Sequence, residues 1–347
     1  MTTDQKGLSM SKYLVTGGAG FIGSHLLDHL IAAGHSAVCL DDLSTGSMAN
    51  LANLAGHPAL TVHVGSIEDR ALLSAAGDGV DGIFHLAAAV GVQLVVQDPI
   101  RTMETNINGT AAVLAFAFES GKRLLIASTS EVYGKSRKLP YEEEDDVIYG
   151  PSSKPRWSYA ISKAVDEFLL RSYVQTRGLR AMAVRLFNTA GPRQSGAHGM
   201  VVPRFIEQAL NGGPIVVHGD GQQTRCFAHV LDVVRALLNL INIDDMDGSA
   251  VNIGSRERVS IQELAERVRN LVNPAAAIVN VPHQQVYGDA FEDMRDREPD
   301  LTKAARLIGY APTFTLDEIL RDVWQHALRT ARPSALEAGQ DPGSTHR

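Results

Sequence analysis

Short apolar runs alternate with longer runs of helical period through the first half of the chain. "KYLVTGG" reads as a strand, and "GFIGSHLLDHLIAAG" as a helix that closes at Gly34. "SAVCLDD", "LTVHVGS", "GIFHLAA" and "RLLIAST" supply four more strands, and "LRAMAVRLF" a sixth after the amphipathic helix "YAISKAVDEFLLRSYVQTRG". Strands that are apolar on both faces and separated by helices form a parallel sheet with helical crossovers. The expected class is α/β, a doubly wound Rossmann sheet. Beyond Asn188 the pattern breaks, and Gly, Pro, His and Arg crowd "NTAGPRQSGAHGMVVPRF" and "GGPIVVHGDGQQTRCF". Four regions follow: a polar extension over 1–11, the doubly wound domain over 12–187, a smaller α/β lobe mainly over 188–330, and a flexible tail over 331–347. The lobe segment is free to cross back to the sheet.

Composition narrows the class. A hydrophobic content of 44% with 20% charged residues fits a soluble globular protein. The net charge of −7 gives no electrostatic reason to expect a nucleic-acid partner. Cys39 and Cys226 are too few for a metal cluster and read as structural thiols in a cytoplasmic protein. No run approaches the ~20 apolar residues of a membrane span, and "MTTDQKGLSMSK" lacks the apolar stretch of a signal peptide. His85, His198, His218 and His229 show no ligand spacing, so no metal is expected; His85 reads as a packed residue near the cofactor.

Two motifs carry chemistry. "TGGAGFIG" spaces Gly17, Gly20 and Gly23 between a strand and a helix, where a tight turn lets a pyrophosphate approach the helix N-terminus. The next strand ends in Asp41 and Asp42, and a carboxylate there accepts from a ribose diol and repels a 2′-phosphate, so it selects NAD over NADP. Asp41 is the expected ribose ligand; Asp42 is the alternative, or it caps the turn "LSTG". Downstream, Ser128, Thr129, Ser130 and Glu131 emerge at the C-terminal end of the fifth strand, the edge where such sheets bind ligands. Tyr159 and Lys163 share a face of the next helix. Lys163 is expected to reach the nicotinamide ribose and set its charge near the phenol, favouring a phenolate. That phenolate takes a proton from a sugar hydroxyl while carbon gives hydride to NAD, and Thr129 shares the hydroxyl proton.

"TGGAGFIGSHL", "HLAA", "NINGT", "STSEVYG", "YAISK" and "RLFNTAGPRQ", in this order, resemble the extended short-chain dehydrogenase/reductases, the nucleotide-sugar epimerases, dehydratases and decarboxylases. The resemblance implies Thr129, Tyr159 and Lys163 as catalytic residues and Asn106 as a support of the active-site helix. It places cofactor contacts at Gly17, Gly20, Phe21, Ile22 and Gly23, then at Asp41 and Asp42. Further contacts fall at Ser66, Ile67, Leu86, Ala87, Ala88, Asn106 and Ser128. For the nucleotide sugar it implies Ser130, Asn188, Val201, Arg204, Arg225 and Arg295; arginine suits a pyrophosphate through its planar fork. The segment "GMVVPRF" resembles the part of the family that covers the nucleotide base. Two apolar helices, "ETNINGTAAVLAFAFES" and "YAISKAVDEFLLRSYVQ", imply a homodimer through a four-helix interface. One departure stands out: Ser66 occupies the place of the family's adenine-binding Asp, which predicts looser adenine binding, while Asp69 reads as a helix cap.

All branches begin by oxidising C4 of the sugar. Glu131 is the branch residue: a base at C5, a group steering a carboxylate, or a hydrogen-bonding residue that orders the loop. The resemblance of "AFEDMRDREPDLTKAARLIGYAPTFTLDEIL" to UDP-sugar epimerases favours a 4-epimerase. UDP-glucuronate decarboxylase is the runner-up and a 4,6-dehydratase comes third, because Ser130 replaces the dehydratases' acid. A non-catalytic NAD-binding protein is the other class, but such proteins lose the Tyr or the Lys, and both are present.

Overall fold

The computed structural model describes residues 10–89, 98–197, 199–288, 292 and 294–331. The expected extension over 1–11 and tail over 331–347 fall almost wholly outside these, as does His198.

Six strands appear where the apolar runs place them: β1 (Lys12–Thr16), β2 (Ser36–Asp41), β3 (Leu60–Val64), β4 (Gly82–His85), β5 (Arg123–Thr129) and β6 (Ala181–Leu186). The short strands β7 (Thr189–Ala190), β8 (Ile215–His218), β9 (Thr224–Cys226) and β10 (Ala228–His229) follow, then β11 (Asp247–Ile253), β12 (Arg258–Ser260) and β13 (Ile278–Val281). The main sheet has seven parallel strands in the order β11-β6-β5-β4-β1-β2-β3. Strand order reverses between β1 and β4, and a ligand crevice opens at such a switch point.

Helices α1 (Phe21–Ala32), α2 (Arg70–Ala76), α3 (Pro99–Glu119) and α4 (Ser158–Arg177) cross between the strands. Asp69 caps α2 by accepting from Ala71 and Leu72 N–H, and Asp98 caps α3 ahead of Pro99 at its first position. Because strand side chains alternate, Tyr13 and Val15 join one core while Leu14 joins the other. The first core packs α1 and α6 (Val230–Leu240) under the sheet; the second packs Val113, Leu114 and Ala117 of α3 and Leu170 of α4.

The lobe has its own core, built from α5 (Val201–Leu210), α7 (Ile261–Val272), β8 and α10 (Leu316–Ala331), with Phe205, Leu264 and Ile319 fully buried. The short helix α8 (His283–Tyr287) follows β13, while α9 (Thr302–Ile308) packs Ala304 into the first core on the sheet. After α5 the chain does return to the sheet: α6 packs on it and β11 extends it beyond β6. The strand β11 carries no long apolar run, only "DGSAVNI", and so has no strong signal in the sequence.

Candidate active site

A cleft of about 720 Å³ runs between the C-terminal ends of the strands and the lobe. The glycine loop forms one end. Gly17 has φ +71°, and a Cβ there would lie 2.7 Å from Ala87 N; a Cβ on Gly23 would lie 2.2 Å from Gly17 O. Loop, α1 and the strand β4 exit are thus in backbone contact, which leaves the first turn of α1, with no side-chain cap at Gly20, open toward the cleft. Asp41 closes the turn by accepting from Ala19 N–H (2.9 Å) and Leu43 N–H (2.8 Å), and burial pushes its carboxyl up. Asp42 accepts from Ser44 N–H at 2.9 Å and caps the exposed turn. Donors at a helix start, a cradle that only glycine fits and a carboxylate at the next strand end match a dinucleotide.

Phe21, Ile22, Ser66, Ile67, Leu86, Ala87 and Ala88 line the cleft with them, as do Ser128, Thr129, Ser130 and Asn188. Asn106 does not line it. Its carboxamide accepts from Ala89 N–H at 2.8 Å and donates to Ser162 Oγ at 3.2 Å, so it ties the β4 exit to α4. His85 is buried behind the loop between Thr16 Oγ1 (2.8 Å) and Thr110 Oγ1 (3.1 Å), and burial lowers its pKa to about 3.

The catalytic candidates converge. Tyr159 and Lys163 lie on the cleft face of α4, and the Thr129 hydroxyl sits beside the phenol, where it favours the ionised form. The electrostatics differ from expectation. Burial, then the charge of Glu131, push the phenol up, and the Lys163 ammonium is committed to Asp166 Oδ2 at 2.8 Å. In this arrangement Lys163 does not offset that burial; the positive charge of an oxidised nicotinamide would act in the opposite direction.

Glu131 also differs from a free base. Arg156 Nη1 meets its Oε2 at 2.5 Å and Arg297 Nη1 its Oε1 at 3.3 Å. Burial alone would raise its pKa, but the two guanidiniums outweigh it and hold it at about 2. Neither arginine stood out in the sequence. Arg156 lies three residues before Tyr159 in "KPRWSY", and that spacing, one helical turn, was the available signal.

Of the expected substrate residues, Val201, Arg204 and Arg225 line the cleft. Arg204 is bound to His218 Nε2 at 2.5 Å, and His218 Nδ1 to Tyr287 OH at 3.0 Å. Arg295 does not reach the cleft: its side chain is 60% exposed and pairs with Asp220 at 2.9 Å. Two residues further along, Arg297 is buried and lines the cleft; regular alternation would keep it on the face of Arg295, so the segment, held only by isolated bridges, is not a regular strand here. Six arginines (101, 156, 193, 204, 225 and 297) and Lys163 line the cleft against Asp41, Asp42 and Glu131, a cationic excess suited to a multiply charged anion.

The chain matches the GDP-mannose 4,6 dehydratase family over residues 14–323 and belongs to it. It is 40% identical over 314 residues to UDP-N-acetyl-alpha-D-glucosaminuronate decarboxylase of Bacillus cytotoxicus, covering 90% of this chain and 96% of that one. To UDP-glucuronic acid decarboxylase 1 of Danio rerio it is 36% identical over 318 residues, 92% of this chain and 73% of that one. The solved UDP-glucuronic acid 4-epimerase of Bacillus cereus, in complex with UDP-glucuronic acid and NAD, superposes with a TM-score of 0.83 at 26% identity, covering 92% and 99% of the two chains. The Rossmann fold, the extended short-chain dehydrogenase/reductase assignment and NAD as cofactor therefore hold. The 4-epimerase expectation does not: the curated relatives at 36–40% identity are decarboxylases, which are lyases and not isomerases. The C-terminal resemblance that favoured an epimerase lies in the segment that carries Arg297, which lines the cleft.

Proposed function

We propose that the protein is an NAD-dependent decarboxylase of a UDP-linked hexuronic acid, yielding the corresponding UDP-pentose. The observation that carries this reading is the Arg156–Glu131–Arg297 cluster beside Tyr159. Two guanidiniums against one carboxylate leave a positive surplus at the sugar end, which suits a substrate carrying a carboxylate there. A carboxylate held at about 2 is a poor base at neutral pH. A 4,6-dehydration needs a base at C5; loss of CO₂ from a β-keto acid needs none.

Bound NAD supplies a hydride acceptor for C4–H and returns that hydride at the end. Tyr159 takes the C4 hydroxyl proton, with Thr129 directing it. Once C4 is a ketone, the C5–C6 bond breaks, CO₂ leaves, and the electron pair enters a C4–C5 enolate. The Tyr159 O–H, now protonated, and the Thr129 hydroxyl donate to the enolate oxygen. A proton taken from water then adds at C5, and the phenol gives its proton back to O4 as C4 recovers its hydrogen. Arg225 and Arg204 line the far part of the cleft and are assigned to the diphosphate and nucleoside end.

We also assign a homodimer through α3 and α4, on which Ile100 and Phe168 are 71% and 73% exposed. No helix among the described residues is long and apolar enough to cross a membrane. Buried free thiols at Cys39 and Cys226 suit a reducing compartment, and we place the protein in the cytoplasm.

The test is incubation with UDP-glucuronate and UDP-N-acetylglucosaminuronate, followed by NMR of the sugar and capture of CO₂. A UDP-pentose with one CO₂ per sugar is the expected result. A C4 epimer that keeps its carboxylate, or no product from either, overturns the reading.

A further inference from the structure

Behind the catalytic pair lies a buried anion that the reaction does not use. Asp166 is 0% exposed, one turn beyond Lys163 on α4, and its Oδ2 accepts from the Lys163 ammonium at 2.8 Å. From α3 the Thr110 hydroxyl lies near the same carboxylate, whose Oδ1 is buried without a hydrogen-bond partner among the described residues. Thr110 Oγ1 contacts His85 Nε2 at 3.1 Å, which contacts Thr16 Oγ1 at 2.8 Å through its other nitrogen. Every side chain in this row is buried: Thr16 0%, His85 1%, Thr110 1%, Asp166 0% and Lys163 2% exposed. His85 is neutral at physiological pH, so the charges bearing on Asp166 are Lys163, Glu167 on its own helix and, more distantly, the Tyr159 site. A fully buried carboxylate is costly unless paired, and a buried lysine could equally be held by neutral acceptors. Placing an anion here therefore changes the potential at the cleft.

We propose that Asp166 is a positioning residue that fixes the Lys163 ammonium and balances its charge, so that the site holds the oxidised cofactor in preference to the reduced one. Oxidised nicotinamide carries a positive ring charge and the reduced ring none. An uncompensated ammonium at this site would oppose the oxidised form selectively; the Lys163–Asp166 pair presents little net charge and removes that opposition. This stabilises oxidised over reduced nicotinamide, which makes the bound reduced cofactor the stronger hydride donor. In a cycle that borrows a hydride and returns it, that bias favours the return over loss of the keto sugar and reduced cofactor. That last consequence rests on the decarboxylase reading; the preference between the two cofactor forms does not.

The experiment is therefore done without sugar. Kd values for NAD and NADH are measured by calorimetry at pH 8 on the wild type, Asp166→Asn, Asp166→Ser, Thr110→Val and the double variant Asp166→Asn/Lys163→Met. The neutral variants at 166 are expected to raise the ratio Kd(NAD)/Kd(NADH) about tenfold. Removing both charges should bring the ratio back to near the wild-type value. Thr110→Val loosens the packing behind Asp166 with the charge intact, so it should move both Kd values together. Equal weakening of both cofactors by Asp166→Asn and Asp166→Ser, or a ratio in the double variant no closer to wild type than in the single, overturns the proposal. Failure to decarboxylate either uronate in the earlier assay would leave these ratios untouched.

Discussion

Arg156 stands one helical turn before Tyr159, and its guanidinium meets Glu131 Oε2 at 2.5 Å, so the carboxylate beside the Tyr159 phenol is ionised and has a fixed partner. Two consequences follow for pH. Tyr159 accepts a proton only as phenolate, so turnover climbs as pH rises through its ionisation. Burial and then the Glu131 charge push that ionisation up. Glu131→Gln removes the anion, so the acid limb of the kcat profile is expected to move to lower pH. Glu131→Asp keeps the charge and should leave the limb in place. The same Gln variant leaves two buried guanidiniums short of a partner, and its stability should fall by about 3 kcal/mol in urea unfolding. An acid limb that stays put in Glu131→Gln would mean the carboxylate does not act on the phenol.

Arg295 and Arg297 are two residues apart and face opposite ways. Arg297 is 7% exposed and bonds Glu131, while the Arg295 side chain is 60% exposed and bonds Asp220. Arg295→Ala should change kcat/KM less than about twofold and stability by about 0.5 kcal/mol or less, as exposed ion pairs do. Arg297→Ala should lower kcat/KM by about 10²-fold. Equal effects would place both residues at the substrate.

This pair also marks where the sequence stops being legible. Apolar runs bounded by turn residues are local signals, and they locate β1 to β6, the glycine loop and the cap at Asp69. Tyr159, Lys163 and Thr129 meet because the C-terminal ends of parallel strands share one edge, so topology alone places them. Which of two arginines in "DMRDRE" turns inward depends on the register of an irregular segment against β9, where Thr224 bridges Asp296. Nothing local encodes that register. The Arg156–Glu131 contact is likewise between residues 25 apart, and the charge state of Glu131 depends on it. The 4-epimerase expectation rested on the likeness of the C-terminal stretch, and the decarboxylase relatives at 36–40% identity overturn it.

Asp41 offers a test of cofactor choice. Its carboxylate is held by Ala19 and Leu43 N–H and lies at the end of β2, where it lines the cleft. Asp41→Asn keeps the shape and one acceptor but loses the charge that repels a 2′-phosphate. NAD affinity should fall about tenfold, and the preference for NAD over NADP should narrow by more than that. Calorimetric titration with both cofactors reads the two numbers directly. An unchanged preference would put the ribose contact elsewhere, with Asp42 next in line.

The last prediction separates the geometry of the glycine loop from the general cost of changing a glycine. A Cβ on Gly23 would fall 2.2 Å from Gly17 O and 2.7 Å from Gly18 Cα, and both obstacles are backbone. No rotamer change relieves that contact, so α1 must move away from the loop, and its first-turn N–H groups move with it. Gly23→Ala should therefore cost about 1–3 kcal/mol of stability and weaken NAD binding at least tenfold. Gly213 lies in the lobe with nothing within 4 Å of its Cβ position, so Gly213→Ala should leave both quantities nearly unchanged. If Gly23→Ala lowers stability while NAD binds as tightly as before, the helix start is not what holds the pyrophosphate.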